Sequence, residues 1–353
     1  MTHITSKPFG KTVEGVSVTL YIFTNAAGNE VAVCSYGGSL VSIKVPDRDG
    51  KLADVVLGYD DLTGYESRKF FYGASIGRCG NRINKGRFTL NGKQFELNCN
   101  EGNNHLHGGF KGFDTKVWDC TVLQDESGEY LSLHLESPDG DENYPGNLSV
   151  TMTYSFSNQN ELKLQYTAVS DADTICNLTN HSYFNLAGHD SGSVLDQSIK
   201  IYADKFTEVD KESIPTGNTP DVAGTPLDFH DFHRIGERIN ANFDQLIYTG
   251  GYDHNWVLSK GIEKLSLCAE LYDEKSGRHM SCYTTCPDLH FYTGNFINGS
   301  QKAKGGFTYL KRAGLCFESQ FAPDAVNHPQ WESPVLKAGR KYDETTIYKF
   351  DVK

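Results

Sequence analysis

Short runs of alternating hydrophobic and polar residues recur along the chain. In 148–156 every second residue is apolar, and the same period of two is found at 131–135 and 162–166. This alternation is typical of antiparallel strands that cover a core on one side and face water on the other. The segment 87–97 holds Asn91-Gly92 between two alternating arms, which predicts a β-hairpin. Helical patterns are few: 229–243 predicts one short helix, and 244–248 predicts another turn.

Glycine content favours the same fold class. The chain has 35 glycines in 353 residues, whereas the usual share is about 7%. Many short strands joined by turns would explain this excess. We find neither an internal repeat of the length expected for a solenoid or propeller nor a linker rich in proline or serine. We therefore predict a single all-β domain, residues 1–353, made of packed antiparallel sheets.

Charge and cysteine content restrict the possible partners and location. The formal net charge of −12 argues against a nucleic-acid partner and against an anionic membrane surface. The first residues, MTHITSKPFG, lack the pattern of a signal peptide, and no stretch approaches the roughly 20 apolar residues that cross a membrane. The nine cysteines include no Cys-x-x-Cys pair, so we expect free, reduced thiols. We expect a soluble, cytoplasmic protein.

Candidate chemistry is concentrated where chargeable residues adjoin glycine turns or aromatic runs. Four such places stand out: NRINKG with Asn81 and Arg82, HLHGG with His105 and His107, NHSYFNL with His181 and Tyr183, and the late segments GYDHNW with Asp253 and LCFESQF with Glu318. Taken alone, a buried histidine is more often structural than functional. Alternation alone places Glu318 either on an exposed polar face or in a functional site, because burying an unpaired carboxylate is costly.

Two histidine pairs raise the question of a metal site. His105 and His107 would share one face of a strand and could bind one ion, but the carboxylate expected about four residues later is missing at 110–112. His230 and His233 form a second pair, with no carboxylate constellation in view. We predict no metal. In this interpretation one of His105 and His107 faces the core or a loop, and the other faces a cleft.

The motifs NRINKG, HLHGG, NHSYFNL and FYTGNF follow one another in an order that strongly resembles the aldose 1-epimerases, also called galactose mutarotases. The resemblance extends from GGSLVSIKVPDRDG to FESQFAPDAVNHPQW. It implies the galactose mutarotase-like supersandwich, a large antiparallel β-sandwich with a sugar-binding cleft. It also implies interconversion of the α and β anomers of aldohexoses such as galactose and glucose. No cofactor is implied, and the expected partner is a small sugar bound by a monomer or weak dimer.

The resemblance assigns roles to particular residues. His181 is then the general acid and Glu318 the general base, because ring opening takes a proton from the C1 hydroxyl and gives one to the ring oxygen. Five further residues match sugar-contacting positions: Asn81, Arg82, His107, Tyr183 and Asp253. Many relatives have glutamine where this chain has His290, a difference that leaves the preferred sugar open. We also expect the nearby carboxylate to raise the pKa of His181.

Three alternatives remain open at this stage. A hexose-6-phosphate 1-epimerase would need a basic phosphate clamp, for which Arg82, Lys85 and Arg87 are candidates. A glycosidase would use two carboxylates, such as Asp253 and Glu318, but would leave His181 without a role. A sugar-binding module would have no need of an acid–base pair.

Overall fold

Strands make up most of the regular structure. The structure is a computed structural model, and it describes residues 2–126, 128–259 and 264–353. In the first half of the chain the strands are β1 (His3–Lys11), β2 (Ser17–Thr24), β3 (Glu30–Cys34), β4 (Leu40–Pro46), β5 (Leu52–Asp54), β6 (Ser75–Ile76), β7 (Arg82–Ile83), β8 (Arg87–Leu90), β9 (Lys93–Glu96), β10 (His105–Leu106), β11 (Asp119–Asp125), β12 (Gly128–Ser137), β13 (Leu148–Phe156) and β14 (Glu161–Ser170). In the second half they are β15 (Thr174–Ile175), β16 (Thr179–Asn180), β17 (Tyr183–Phe184), β18 (Ser198–Ile201), β19 (Ala203–Phe206), β20 (His233–Arg234), β21 (Asp253–Leu258), β22 (Ser266–Tyr272), β23 (Arg278–Thr284), β24 (Asp288–Tyr292), β25 (Leu315–Gln320), β26 (Val335–Leu336) and β27 (Lys341–Val352).

Helices are short and lie between the strands. The α-helices of the described residues are α1 (Leu62–Glu66), α2 (Ile235–Arg238) and α3 (Asp244–Thr249). Single 3₁₀ turns occur at Asn84–Gly86, Phe113–Thr115, Asp141–Asn143, Lys304–Gly306 and Ala325–Asn327. Within the described part of the chain, no helix has both the length and the apolar character needed to cross a bilayer.

The local sequence patterns explain these elements. Every second side chain of β13 is buried, as the alternation in 148–156 predicts, and β12 and β14 show the same pattern along most of their length. Asn91 and Gly92 join β8 to β9 with φ angles of 52° and 76°, the left-handed backbone that this hairpin turn requires. Helix α2 lies within 229–243, and α3 begins at Asp244. The predicted hairpin and short helices are confirmed.

Three large antiparallel sheets form the body of the molecule. A five-stranded sheet has the order β1-β2-β3-β4-β5, a nine-stranded sheet has the order β11-β12-β13-β14-β27-β23-β22-β18-β20, and a second five-stranded sheet has the order β17-β25-β24-β21-β19. Four two-stranded ladders accompany them: β7·β10, β8·β9, β15·β26 and β6·β16. The predicted all-β sandwich of antiparallel sheets is confirmed.

A continuous hydrophobic core joins the inner faces of the three sheets. Leu133 and Tyr154 of the nine-stranded sheet belong to the same buried cluster as Val33 of the first sheet and Phe291 and Phe317 of the third. Each of these side chains is fully buried. Since the third sheet packs on this core with one face only, its other face is free to carry polar residues.

Candidate active site

The outer face of the third sheet carries the polar side chains of the site. Strand pairing aligns two adjacent rows across β21, β24 and β25: Asn255, His290 and Glu318 in one, and Asp253, Tyr292 and Cys316 in the other. Directly opposed residues share a face of the sheet, and so do residues two apart on a strand. Tyr183 of β17 pairs with Cys316 and extends the second row. One sheet face thus gathers residues from widely separated motifs.

The opposite wall is formed by β7, β10 and the loops around them. The backbone N–H of Asn81 donates to Nδ1 of His107 at 3.1 Å, and the backbone N–H of His107 donates to the backbone carbonyl of Asn81 at 3.2 Å. Arg82 makes two hydrogen bonds of 2.7 Å to the carboxylate of Glu101, one from Nε and one from Nη2. This bidentate pair fixes the guanidinium beside the cavity and neutralises its charge.

Between these walls lies a cavity of about 130 Å³. The eight residues predicted to form the site all line it: Asn81, Arg82, His107, His181, Tyr183, Asp253, His290 and Glu318. Sequence reasoning missed the other lining residues, Lys69, Phe70, Phe71, Glu101, Leu106, Tyr292 and Phe296. Tyr292 could have been found, since it follows His290 by two residues on one strand. Glu101 carries no local signal, because its importance comes only from its contact with Arg82.

His181 and Glu318 lie next to each other on the cavity wall. Nε2 of His181 is 3.8 Å from Oε1 of Glu318, and the two residues are only 4% and 1% exposed. The His181 ring stacks on Tyr183, with centroids 4.9 Å apart, and on Phe71 at 5.9 Å. Oε2 of Glu318 has no hydrogen-bond partner among the described residues. Two aromatic rings therefore pack against the imidazole, while one carboxylate oxygen is left to meet a ligand.

Burial controls the protonation of this pair. Burial lowers the pKa of His181 to about 4, with a partly opposing effect from the histidine's own backbone carbonyl. Burial, reinforced by the negative charge of Asp253, raises the pKa of Glu318 well above its usual range. The 3.8 Å separation would also suit an ion pair, but loss of solvation outweighs that attraction. Our expectation of a raised pKa for His181 is thus wrong, and burial favours the neutral form of both side chains.

Asp253 behaves in the opposite way. Burial alone would raise the pKa of its carboxyl group, but the hydrogen bond from His290 and the positive charge of Arg82 lower it below the usual value. Nε2 of His290 lies 2.7 Å from Oδ1 of Asp253, while Nδ1 of His290 has no hydrogen-bond partner in the described part of the chain. With Nε2–H directed at Asp253, Nδ1 is left as an acceptor.

His107, His181 and Glu318 have the composition of a metal site, since one ligand atom from each lies within 4.8 Å of the others. However, Nδ1 of His107 accepts a hydrogen bond from the Asn81 amide, so the neutral ring carries its hydrogen on Nε2. Binding an ion through Nε2 would move that hydrogen to Nδ1, against the Asn81 N–H. Burial and the nearby His181 lower the pKa of His107 well below the usual range. His107 is therefore built as a neutral Nε2–H donor and does not fit a metal.

The histidine pairs considered from the sequence do not converge on one ion. His105 is buried, with Nδ1 2.7 Å from the Asn98 carbonyl and Nε2 2.8 Å from the Tyr144 hydroxyl. It therefore faces the interior, while His107 faces the cavity, as predicted. His230 contacts Asp204 and Asp228, and His233 contacts a different carboxylate, that of Glu237.

Comparison with known proteins adds an independent observation. The family model described as aldose 1-epimerase matches residues 19–349. The galactose mutarotase of Bos taurus is 41% identical over 352 residues, which cover 100% of both chains. The aldose 1-epimerase of Escherichia coli K12 is 35% identical over 96% of each chain. The crystal structure of galactose 1-epimerase from Lactobacillus acidophilus aligns with a TM-score of 0.88 and 28% identity, over 100% of this chain and 99% of that one.

Proposed function

The chain belongs to the aldose 1-epimerase family, and we infer from this that it is an isomerase interconverting the α and β anomers of free aldohexoses such as galactose and glucose. We propose His181 as the acid and Glu318 as the base of this reaction. The observation that carries the assignment is the contact of Nε2 of His181 with Oε1 of Glu318, 3.8 Å apart on the wall of one buried cavity.

The reaction is an opening and reclosure of the sugar ring. The Glu318 carboxylate takes the proton of the C1 hydroxyl while His181, as imidazolium, gives its Nε2 proton to the ring oxygen, and the bond between C1 and the ring oxygen breaks. The open-chain aldehyde rotates about C1–C2, and the reverse transfers close the ring on the other face. Acid–base catalysis of this kind contributes about 10²- to 10⁴-fold for each group.

Sugar binding would create the reactive charge state from the neutral pair. A carboxyl plus an imidazole holds as many protons as a carboxylate plus an imidazolium, so no proton needs to enter or leave the cavity. Oε2 of Glu318 is buried and has no hydrogen-bond partner among the residues that the structure describes. A sugar hydroxyl that donates to this oxygen would favour the carboxylate, because a hydrogen bond to the charged form stabilises it. The proton that Glu318 loses is the one that Nε2 of His181, 3.8 Å from Oε1, gains.

The remaining residues would hold the sugar and stabilise its changing charge. Nε2–H of His107 points to the same part of the cavity, since Nδ1 is already occupied by the Asn81 amide, and can donate to the ring oxygen. Asp253 and Nδ1 of His290 form an acceptor pair for sugar hydroxyls. Arg82, fixed by Glu101, can donate through the nitrogen that the carboxylate does not use.

The contacts also bear on a phosphorylated substrate. Arg82 is already paired with Glu101, and Arg87 is exposed and pairs with Glu96 at 3.2 Å. Lys85 is exposed as well, and neither Lys85 nor Arg87 lines the described cavity. Of the three cations suggested by the sequence, only Arg82 lines the cavity, where Lys69 is the other cationic lining residue; because Glu101 already binds Arg82, this supports an uncharged hexose.

Location and domain organisation are part of the proposal. All nine cysteines are free thiols, which supports the reducing environment of the cytoplasm. A hydrophobic core shared by the three large sheets supports a single domain over residues 1–353. The net charge of −12 supports a small sugar, and neither nucleic acid nor an anionic membrane, as the partner.

Polarimetry of freshly dissolved α-D-galactose, α-D-glucose and glucose 6-phosphate tests the proposal. We expect the wild type to speed equilibration of galactose or glucose well above the buffer rate, and His181→Asn to lose about 10²-fold or more of this rate. The matched control is His230→Asn, which changes an exposed histidine outside the cavity and should keep wild-type activity. Acceleration with glucose 6-phosphate alone would instead favour the phosphorylated substrate. Full activity of His181→Asn would refute the assignment of the acid.

A further inference from the structure

One thiol contacts the ring nitrogen of His181 that faces away from Glu318. Sγ of Cys316 lies 3.4 Å from Nδ1 of His181, within the range of a hydrogen bond to sulfur. Cys316 and Glu318 are two residues apart on β25 and so project from the same face of the strand. One strand therefore contacts both nitrogens of the imidazole, Nδ1 through Cys316 and Nε2 through Glu318.

Cys316 is an uncharged partner. Its side chain is fully buried, and burial raises the pKa of the thiol well above its usual range. Within the described residues, its sulfur is the only side-chain atom that hydrogen-bonds to Nδ1 of His181, and the histidine's own backbone carbonyl also acts on the ring. Catalytic histidines commonly have a carboxylate or carbonyl at this position, which fixes the tautomer and also favours the charged ring. A thiol can fix the tautomer without adding negative charge.

The acid–base cycle requires one particular tautomer. If Nε2 gives its proton to the sugar ring oxygen and later recovers it, Nδ1 must keep its hydrogen throughout. A neutral ring with hydrogen on Nε2 could not accept a proton at the atom that faces Glu318. Because sulfur is a weak acceptor as well as a weak donor, it can accept the Nδ1–H of both the neutral and the charged ring.

We propose that Cys316 is a positioning residue for His181: its sulfur accepts the hydrogen of Nδ1, so that Nε2, facing Glu318, is the nitrogen that gains and loses the proton. This inference rests on the proposed role of His181 as the acid. Cys316 does not line the described cavity, so its effect on catalysis passes through the histidine and not through contact with the sugar.

The test combines ¹⁵N NMR of histidine-labelled protein with kinetics of galactose anomerisation. At pH 7.5 the wild-type signals of His181, assigned by comparison with His181→Asn, should show hydrogen on Nδ1 and none on Nε2. In Cys316→Ala these signals should move toward the other tautomer. The same variant should lose about fivefold in kcat with KM little changed, the factor expected for one weak hydrogen bond. Cys316→Ser, which keeps a donor and an acceptor on a shorter side chain, should recover part of that loss.

Cys268→Ala is the matched control. Cys268 is equally buried, but its Sγ donates to the carbonyl of Cys282 at 3.1 Å in the nine-stranded sheet. The proposal is overturned if wild-type His181 carries its hydrogen on Nε2, if Cys316→Ala leaves both the tautomer and kcat unchanged, or if Cys268→Ala lowers kcat equally. A wild type inactive on every sugar would refute the proposed function instead, and the NMR result would still decide the contact.

Discussion

Replacing Glu318 by glutamine removes the proposed base while keeping the shape of its side chain. The amide cannot accept the C1 hydroxyl proton at neutral pH. The other two carboxylates that line the cavity are already engaged: Asp253 contacts His290 at 2.7 Å, and Glu101 accepts two hydrogen bonds from Arg82. Neither can take over the proton transfer without breaking these bonds. The loss should therefore be close to the whole contribution of a general base.

The magnitude follows from this lack of a substitute. A positioned base contributes about 10²- to 10⁴-fold, which corresponds to about 3–5 kcal/mol of transition-state stabilisation. Folding should not suffer. The pKa of Glu318 is raised in the folded protein, so the unfolded chain loses this proton at a lower pH than the folded chain does. The wild type therefore loses stability as the pH rises above the pKa that Glu318 has in the unfolded chain. Glutamine does not ionise, so Glu318→Gln should gain stability relative to the wild type toward alkaline pH.

Exchange NMR of galactose at anomeric equilibrium measures the rate directly, and thermal unfolding at pH 5 and pH 8 measures stability. Glu270→Gln is the control, because Glu270 is a mostly buried glutamate of β22 that contacts His279 outside the cavity. Glu270→Gln should exchange the anomers at the wild-type rate. If Glu318→Gln were fully folded and retained more than about a tenth of the wild-type rate, the assignment of Glu318 as the base would be refuted, because a base contributes at least about 10²-fold.

Three further predictions follow from the same contacts. The pH profile of kcat/KM should be a bell, because the reactive pair must carry one proton. Its acid limb should lie near pH 4, the lowered pKa of His181, and its alkaline limb at the raised pKa of Glu318; an acid limb near 6.5, the ordinary histidine value, would contradict this. His290→Ala removes the 2.7 Å contact with Asp253. It should lower the free energy of unfolding, measured by urea unfolding, by about 2 kcal/mol and raise KM, measured from initial rates. Unchanged stability would mean that the contact contributes little. Dialysis against a chelator should leave activity intact, because the Asn81 amide occupies Nδ1 of His107; loss of activity restored by a divalent ion would contradict that tautomer.

Local pattern was sufficient to predict much of the fold. The period of two in 148–156 depends only on which residues pack and which meet water, and β13 follows it along its whole length. The Asn91-Gly92 hairpin is equally local, because its turn needs residues that tolerate a positive φ. The strand order is different in kind. No local pattern in β14 or β27 indicates that these two strands pair, because their pairing depends on how the whole chain folds.

The site, like the fold, could be predicted from the sequence only in part. The resemblance to a family identified eight of the residues that line the cavity, whereas periodicity alone left Glu318 undecided between surface and site. Protonation could not be read from the sequence, because the loss of solvation that lowers the pKa of His181 depends on burial by Tyr183, Phe71 and their neighbours. Glu101 and Cys316 were also missed. Their roles arise from single contacts, with Arg82 and with His181, that no spacing predicts.

The most direct test of the central claim follows the optical rotation of galactose from both sides of its equilibrium. Pure α-D-galactose and pure β-D-galactose are each dissolved with and without the wild-type protein. We predict that the protein accelerates the approach to equilibrium from both anomers and that all four solutions reach the same final rotation, because an aldose 1-epimerase changes the rate and not the equilibrium. Equal rates with and without protein, or a different final rotation in its presence, would contradict this function.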